Sequence, residues 1–301
     1  MILKSVRSVV VVLMMFIGFT SCVSNGTKAT SKDSKEAILL VTFGSSYKGP
    51  EATFKNIEEE FVKAYPDVEI QWAFTSRIIR KILHKRGVGP YKGVNAPEDA
   101  LLKLKKEGYQ RIAVQSLHII PGTEYNDLKG KVEAFQQANP QLTLSLGTPL
   151  MDTDKDMNQL ADILVHKFDK NDQTVVMMGH GTVHAANDRY VRIGNIFRKE
   201  HPSFIVGTVE AKPDIENVVE EVAKLSSKNI LLMPLMSVAG DHATNDMAGD
   251  EEDSWKTVLE KNNYAVSPLL QGLCDYDEVV DIFVQHLKAS MKDDQKKCCH
   301  H

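Results

Sequence analysis

Three residues in the second half of this sequence carry side chains that bind divalent metals, and each follows a short run of β-forming residues. His180 stands in Gly179-His180-Gly181 after the run 174–178, and Glu210 lies just past 204–208. His242 follows 229–233 after a loop that holds Gly240 and Asp241. Two imidazoles and one carboxylate suit a divalent transition ion and leave coordination positions open, whereas a structural site closes its shell, usually with cysteine thiolates. Neutral imidazole also accepts protons near neutral pH. Singly, each residue has a plainer reading: a lone loop histidine is most often a surface group, and a lone glutamate caps a helix. Three of them at three successive strand ends are far harder to attribute to accident. Two other histidines read differently. His184 follows His180 by four residues, but Gly181 stands where the helical metalloprotease pattern needs a glutamate, so it is read as supporting or structural. His118 lies inside an apolar run and is read as buried and satisfied.

Such residues need rigid elements to hold them. Apolar runs at 37–43 (AILLVTF), 68–73, 111–115 and 142–146 read as strands, and amphipathic stretches at 51–64, 76–85, 97–107 and 125–137 as helices. The second half repeats the plan, with strands at 174–178, 204–208, 229–233 and 265–269 and helices at 187–199, 215–225 and 277–291. Strands alternating with helices imply an α/β fold, here two similar lobes, each a mostly parallel sheet flanked by helices. The expected boundaries are 37–150 for the first lobe and 151–292 for the second, which carries the metal site. The halves also align. The stretch from Arg111 to Glu124 matches that from Asn229 to His242 without a gap, placing Gly122 opposite Gly240 and Glu124 opposite His242. Thr42-Phe43-Gly44-Ser45 falls opposite Gly179-His180-Gly181-Thr182. An internal duplication is the simplest source, and the matched positions lie at carboxyl strand ends, where open α/β sheets bind ligands.

The 301 residues are of ordinary globular composition, and the net charge of -4 gives no electrostatic reason for nucleic-acid binding. The N-terminus reads as an export signal over 1–22: Lys4 and Arg7, an apolar core at 9–19 too short to span a bilayer comfortably, then Phe19-Thr20-Ser21-Cys22. That ending resembles a lipoprotein cleavage site with Cys22 as the acylated residue. A Ser/Thr/Lys-rich tether over 23–36 follows. The expectation is an exported periplasmic or membrane-anchored lipoprotein that touches the membrane only through its lipid. With Cys22 acylated, the remaining cysteines, Cys274, Cys298 and Cys299, form no spaced disulfide framework. The tail 293–301 ends Cys298-Cys299-His300-His301, a set that can catch borderline metals. A homo-oligomer is compatible with all of this.

At this point the sequence resembles the class II chelatases, and within them the anaerobic cobalt chelatases that act on sirohydrochlorin in cobalamin biosynthesis. The resemblance rests on AILLVTFGSS, SLHIIPGTEY, MGHGTVHAANDRY and MPLMSVAGDHATNDMAGDEEDSW and covers nearly all of 37–292. It implies a tetrapyrrole held between the lobes, metal bound by His180, Glu210 and His242, a further acid at Glu124, and no cofactor beyond the metal substrate. The leader is a departure, since most members are cytoplasmic. The expected reaction joins a divalent metal, cobalt first, to a metal-free tetrapyrrole and releases two protons. His180 and His242 position the metal and accept protons, while Ser45, Ser46 and Arg77 serve as donors to the substrate's carboxylates. Two alternatives remain at this stage: an exported haem- or metal-binding protein without turnover, and a ferrochelatase or nickel chelatase. Imidazole and carboxylate accept cobalt, nickel, iron and zinc alike.

Overall fold

Continuous apolar runs form strands that are covered on both sides, and β1 (Glu36–Thr42) shows why. Its Ile38 and Leu40 enter the core shared by the two lobes, while Ala37, Leu39 and Val41 enter a separate core on the opposite face. The computed structural model describes residues 35–298 apart from Lys48 and Asn171, and the side chains of 293–298 are not described. The expected leader, all but the last two residues of the tether and the end of the tail therefore fall outside the described residues.

β1 pairs in parallel with β2 (Glu69–Phe74) and β3 (Arg111–Ser116), and β3 with β4 (Thr143–Gly147), in the order β2-β1-β3-β4. The second sheet, β5 (Thr174–Gly179), β6 (Phe204–Thr208), β7 (Asn229–Pro234) and β8 (Ala265–Pro268), has the equivalent order β6-β5-β7-β8. The likeness extends to single hydrogen bonds. Thr75 N–H donates to Thr42 O as Val209 N–H does to Gly179 O, and Leu117 N–H donates to Val41 O as Leu235 N–H does to Met178 O. Met151 N–H donates to Ile119 O as Cys274 N–H does to Ser237 O.

The helices are α1 (Pro50–Ala64), α2 (Arg77–Arg86), α3 (Pro97–Lys106), α4 (Thr123–Ala138), α5 (Asp154–Phe168), α6 (Asp188–Glu200), α7 (Ile215–Val222), α8 (Trp255–Lys261) and α9 (Asp277–Cys298). Two were not expected, α5 and the short α8. α5 opens with a reciprocal cap between Thr153 and Asp156 and buries Met157, Leu160, Ala161 and Leu164, a helical stripe. Its partners explain its role: α5 follows β4 as α9 follows β8, yet α5 packs on α6 beside the second sheet, while α9 crosses back to β3 and β4 of the first. Each lobe thus covers the other, and one apolar core runs through both. The strand expected at 37–43 stops one residue early, leaving Phe43 outside the sheet and 48% exposed. The helix expected at 215–225 stops at Val222.

Candidate functional site

The order β6-β5-β7 makes the three metal-competent residues spatial neighbours, because each follows the carboxyl end of one of three adjacent strands. His180 is the first residue after β5. The turn behind it needs Gly181, which has φ +82°; a Cβ there would lie 2.7 Å from Thr208 Cβ and 2.9 Å from the Ala211 amide. Glu210 is tied to the same point, its N–H donating to His180 O at 2.8 Å. Its residue is exposed.

His242 arrives by a rarer route. In the first lobe the matching segment runs straight into α4, but here a single π-helical turn, Ala243–Met247, follows β7. Such turns recur at functional sites. This one brings His242 Nδ1 to 2.5 Å from Asp246 Oδ2. The rings of His180 and His242 then stand edge to face, centroids 4.6 Å apart and planes at 87°.

The hydrogen bonds define what the two rings offer. His180 Nδ1 lies 2.8 Å from Gly181 O, a carbonyl that only accepts, and His242 Nδ1 faces a carboxylate. In its neutral form each ring therefore carries its proton on Nδ1 and keeps the lone pair on Nε2 free. A carboxylate behind a ligating histidine also raises the ring's basicity and holds its orientation. Among the described residues no three His, Cys, Asp or Glu side chains are already gathered into a metal site. Glu210 therefore does not complete a cage with the two rings as they stand.

The remaining expected residues lie on segments that follow the carboxyl ends of strands. Glu124 is exposed in the first turn of α4. Ser45 is buried, and its hydroxyl accepts the Tyr47 N–H at 3.2 Å, which makes it a turn-former whose own O–H has no partner among the described residues. Ser46 O accepts from the Arg86 guanidinium. Arg77 is the exposed first residue of α2. His184 caps the short 3-10 turn Ala185–Asn187 through Nδ1, in line with a structural role. The expectation for His118 needs correction. Its Nδ1 pairs with Ser116 Oγ at 2.8 Å, but its Nε2 is sealed from solvent without a partner. Burial pushes its pKa down to about 4, against an opposing pull from Glu124.

Sequence reasoning missed Asp246, although His and Asp at i, i+4 were there to be read. It also missed Tyr47. From the loop after β1 its hydroxyl donates to Asp241 Oδ1 at 2.5 Å and accepts from Asn245 Nδ2 at 3.2 Å. That loop of the first lobe thus touches the turn carrying His242.

Comparison with known proteins bears on the family and the fold. The sequence model of the family described as Cobalt chelatase (CbiK) matches residues 36–292. "Sirohydrochlorin cobaltochelatase CbiKC" of Nitratidesulfovibrio vulgaris is 37% identical over 260 residues, covering 85% of this chain and 91% of that protein. "Sirohydrochlorin cobaltochelatase" of Salmonella typhimurium is 36% identical over 263 residues, covering 85% and 97%. Among solved structures, SirB from Bacillus subtilis with Fe3+ superposes with a TM-score of 0.58 at 18% identity, over 85% of this chain and 95% of that one. CbiX, the terminal enzyme of siroheme biosynthesis in denitrifying bacteria, gives 0.53 at 12%, over 84% and 99%. These two likenesses concern the fold.

Proposed function

Because this chain belongs to the cobalt chelatase family, we propose that it inserts Co2+ into sirohydrochlorin held between its lobes, releasing two protons. One observation carries the assignment of roles: two imidazoles 4.6 Å apart, each with Nδ1 committed to an acceptor and Nε2 free. His180 and His242 offer those lone pairs to the incoming cobalt. Glu210, exposed and tied through its backbone to His180, joins the metal as a third, anionic ligand and offsets its charge. Two open-ended imidazoles and one carboxylate hold a divalent ion without closing its shell, so the metal can leave for the macrocycle. As four ring nitrogens take the metal, two N–H bonds break. The imidazoles, and Glu124 from the opposite lobe, accept those protons and pass them to water. Ser45, Ser46 and Arg77 supply donors toward the substrate's carboxylates from the first lobe's strand ends.

The test is turnover. Full-length protein given cobalt and metal-free sirohydrochlorin should metallate many equivalents, followed by the change in the tetrapyrrole's absorbance. Binding that stops at one equivalent would identify a carrier instead. Faster insertion of nickel or iron than of cobalt would move the chain to another metal.

We further propose that the chain is exported and anchored through lipid on Cys22. The support is the order of Lys4 and Arg7, the apolar run 9–19 and Thr20-Ser21-Cys22. Mass spectrometry of protein from its native membrane should find acylated Cys22 at the N-terminus. An intact Met1 would refute it.

A further inference from the structure

The two lobes differ most between their second and third strands. The offset between matched residues is 134 at Thr75 and Val209 but 118 at Pro97 and Ile215, the first residues of α3 and α7. The first lobe therefore carries 16 extra residues there: α2 and the loop after it, residues 77–96, stand where the second lobe has only 211–214.

α2 contributes little to the core: none of its ten residues is fully buried, and only Ile79 and Leu83 pack, half-buried, against it. Its sequence, RIIRKILHKR, holds five Lys or Arg and no acid in a protein whose net charge is -4. Arg77 even sits in the first turn, where the helix dipole disfavours a cation. Two of the cations are used locally: Arg80 donates to Phe74 O and Thr75 O, and Arg86 to Ser46 O. Arg77, Lys81 and Lys85 remain. They are exposed, they recur at every fourth residue along one face, and they form no ion pair among the described residues. Helical rise spreads them over about 12 Å. Ile78 beside them is 72% exposed.

Both ends of this helix are pinned to the loop that follows β1. Its cap, Ser76, donates its N–H to Phe43 O at 3.2 Å, as Glu210 does to His180 O. Its far end is held by Arg86 to the Ser46 carbonyl, next to Tyr47, which reaches Asp241 beside His242. An inserted, basic element that packs on the core only through Ile79 and Leu83, leaves three cations unpaired among the described residues, and is fastened at both ends to the loop after β1 fits a polycarboxylate ligand.

We propose that the Arg77, Lys81 and Lys85 stripe of α2 is the docking edge for the peripheral carboxylates of the tetrapyrrole. This rests on the chelatase reading and extends it to the residues that select a polyanionic macrocycle. Like other rim charges, the stripe acts on capture of the substrate and not on the metal step. The test is a triple variant, R77Q/K81Q/K85Q, compared with R77E/K81E/K85E in cobalt insertion assays, with folding checked by circular dichroism. The KM for sirohydrochlorin should rise about tenfold in the neutral variant and further in the acidic one. Both kcat and the KM for cobalt should stay within about twofold. Wild-type KM should also climb with ionic strength, and the neutral variant should lose most of that dependence. An unchanged KM in folded variants, or a loss that falls on kcat or cobalt instead, overturns the proposal while leaving the chelatase intact. A wild-type protein that inserts no metal fails at the earlier reading. Tight binding of metal-free sirohydrochlorin by that protein, weakened in both variants, would still support the stripe; equal binding by all three would overturn it.

Discussion

At the carboxyl ends of their matched strands the two lobes share a backbone and differ in chemistry. Phe43 stands where His180 does, Ser76 where Glu210 does, and Glu124 where His242 does. Even the turns agree, since Gly44 has φ +97° and Gly181 φ +82°. A duplicated α/β lobe therefore supplies equivalent strand-end positions twice, and imidazoles occupy one set only. The consequence is physical. A flat macrocycle between two lobes has two faces, and an enzyme that delivers metal to one face must not compete for it from the other. An exposed phenylalanine and a serine bind no cobalt, while Glu124 can still take a proton.

The largest effect should come from breaking that asymmetry where the metal is held. His180→Ala or His242→Ala removes a ligand and a proton acceptor, so insertion should fall at least about a hundredfold. Phe43→Ala, at the matched position, should lower kcat by less than about tenfold. All three should fold, because the residues lie past the ends of the strands and none is buried, and circular dichroism alongside insertion rates checks this. Equal losses at Phe43 and His180 would mean that the lobes share the chemistry.

Asp246 sharpens the comparison further. The residue matched to it in the first lobe is Leu128, which is buried in that lobe's outer core. Only the second lobe therefore places a carboxylate behind its strand-end ligand. Asp246→Asn keeps the size but lets His242 rotate or change tautomer, and cobalt affinity should weaken about ten- to a hundredfold. Cobalt titration measures it, and an unchanged affinity would mean that the π-helical turn alone aims the ring.

How much of this was legible in the sequence depended on range. Residues 174–178 and 204–208 read as strands because burial on both faces makes them continuously apolar, and the ends of β5 and β6 follow directly. His180 and Glu210 could thus be placed from local pattern. The exchange of α5 and α9 between lobes could not, since an amphipathic stripe states that a face is buried but not against what. The π-helical turn was hidden for a related reason: ATNDM reads as ordinary helix or loop, and its geometry comes from the segment it must join to β7. Tyr47 was missed because its partners lie 194 and 198 residues away.

His118 provides a comparison at the next strand. Its counterpart is Met236, which raises no proton question. With a folded pKa of about 4 against about 6.5 unfolded, His118 is neutral in the native state while the unfolded chain takes up a proton. The stability it contributes is complete above pH 6.5 and is lost as pH falls from there toward 4. The loss should be of order 1 to 3 kcal/mol. Urea unfolding of the wild type and of His118→Gln between pH 7 and 4 tests it. The variant should be the flatter of the two, and parallel curves would assign the acid sensitivity elsewhere.

The smallest expected effects lie where the lobes touch. Counting on from the matched turns, Tyr47 falls opposite His184, and each reaches across to the other lobe. Tyr47 meets Asp241 and Asn245 at 2.5 and 3.2 Å, whereas His184 Nε2 lies 3.5 Å from Asn126 Nδ2, at the limit of a hydrogen bond. The first contact touches the turn that carries His242, and the second touches α4, which carries Glu124. Tyr47→Phe keeps the ring and removes the hydroxyl, so kcat/KM for sirohydrochlorin should fall by about three- to tenfold, the scale of one lost polar contact. His184→Ala should cost less than about threefold. The order of the two is the informative result. If His184 proves the more damaging loss, the two contacts are not equivalent, and His184 must act on the cobalt or the ring beside His180 as well as bridging the lobes.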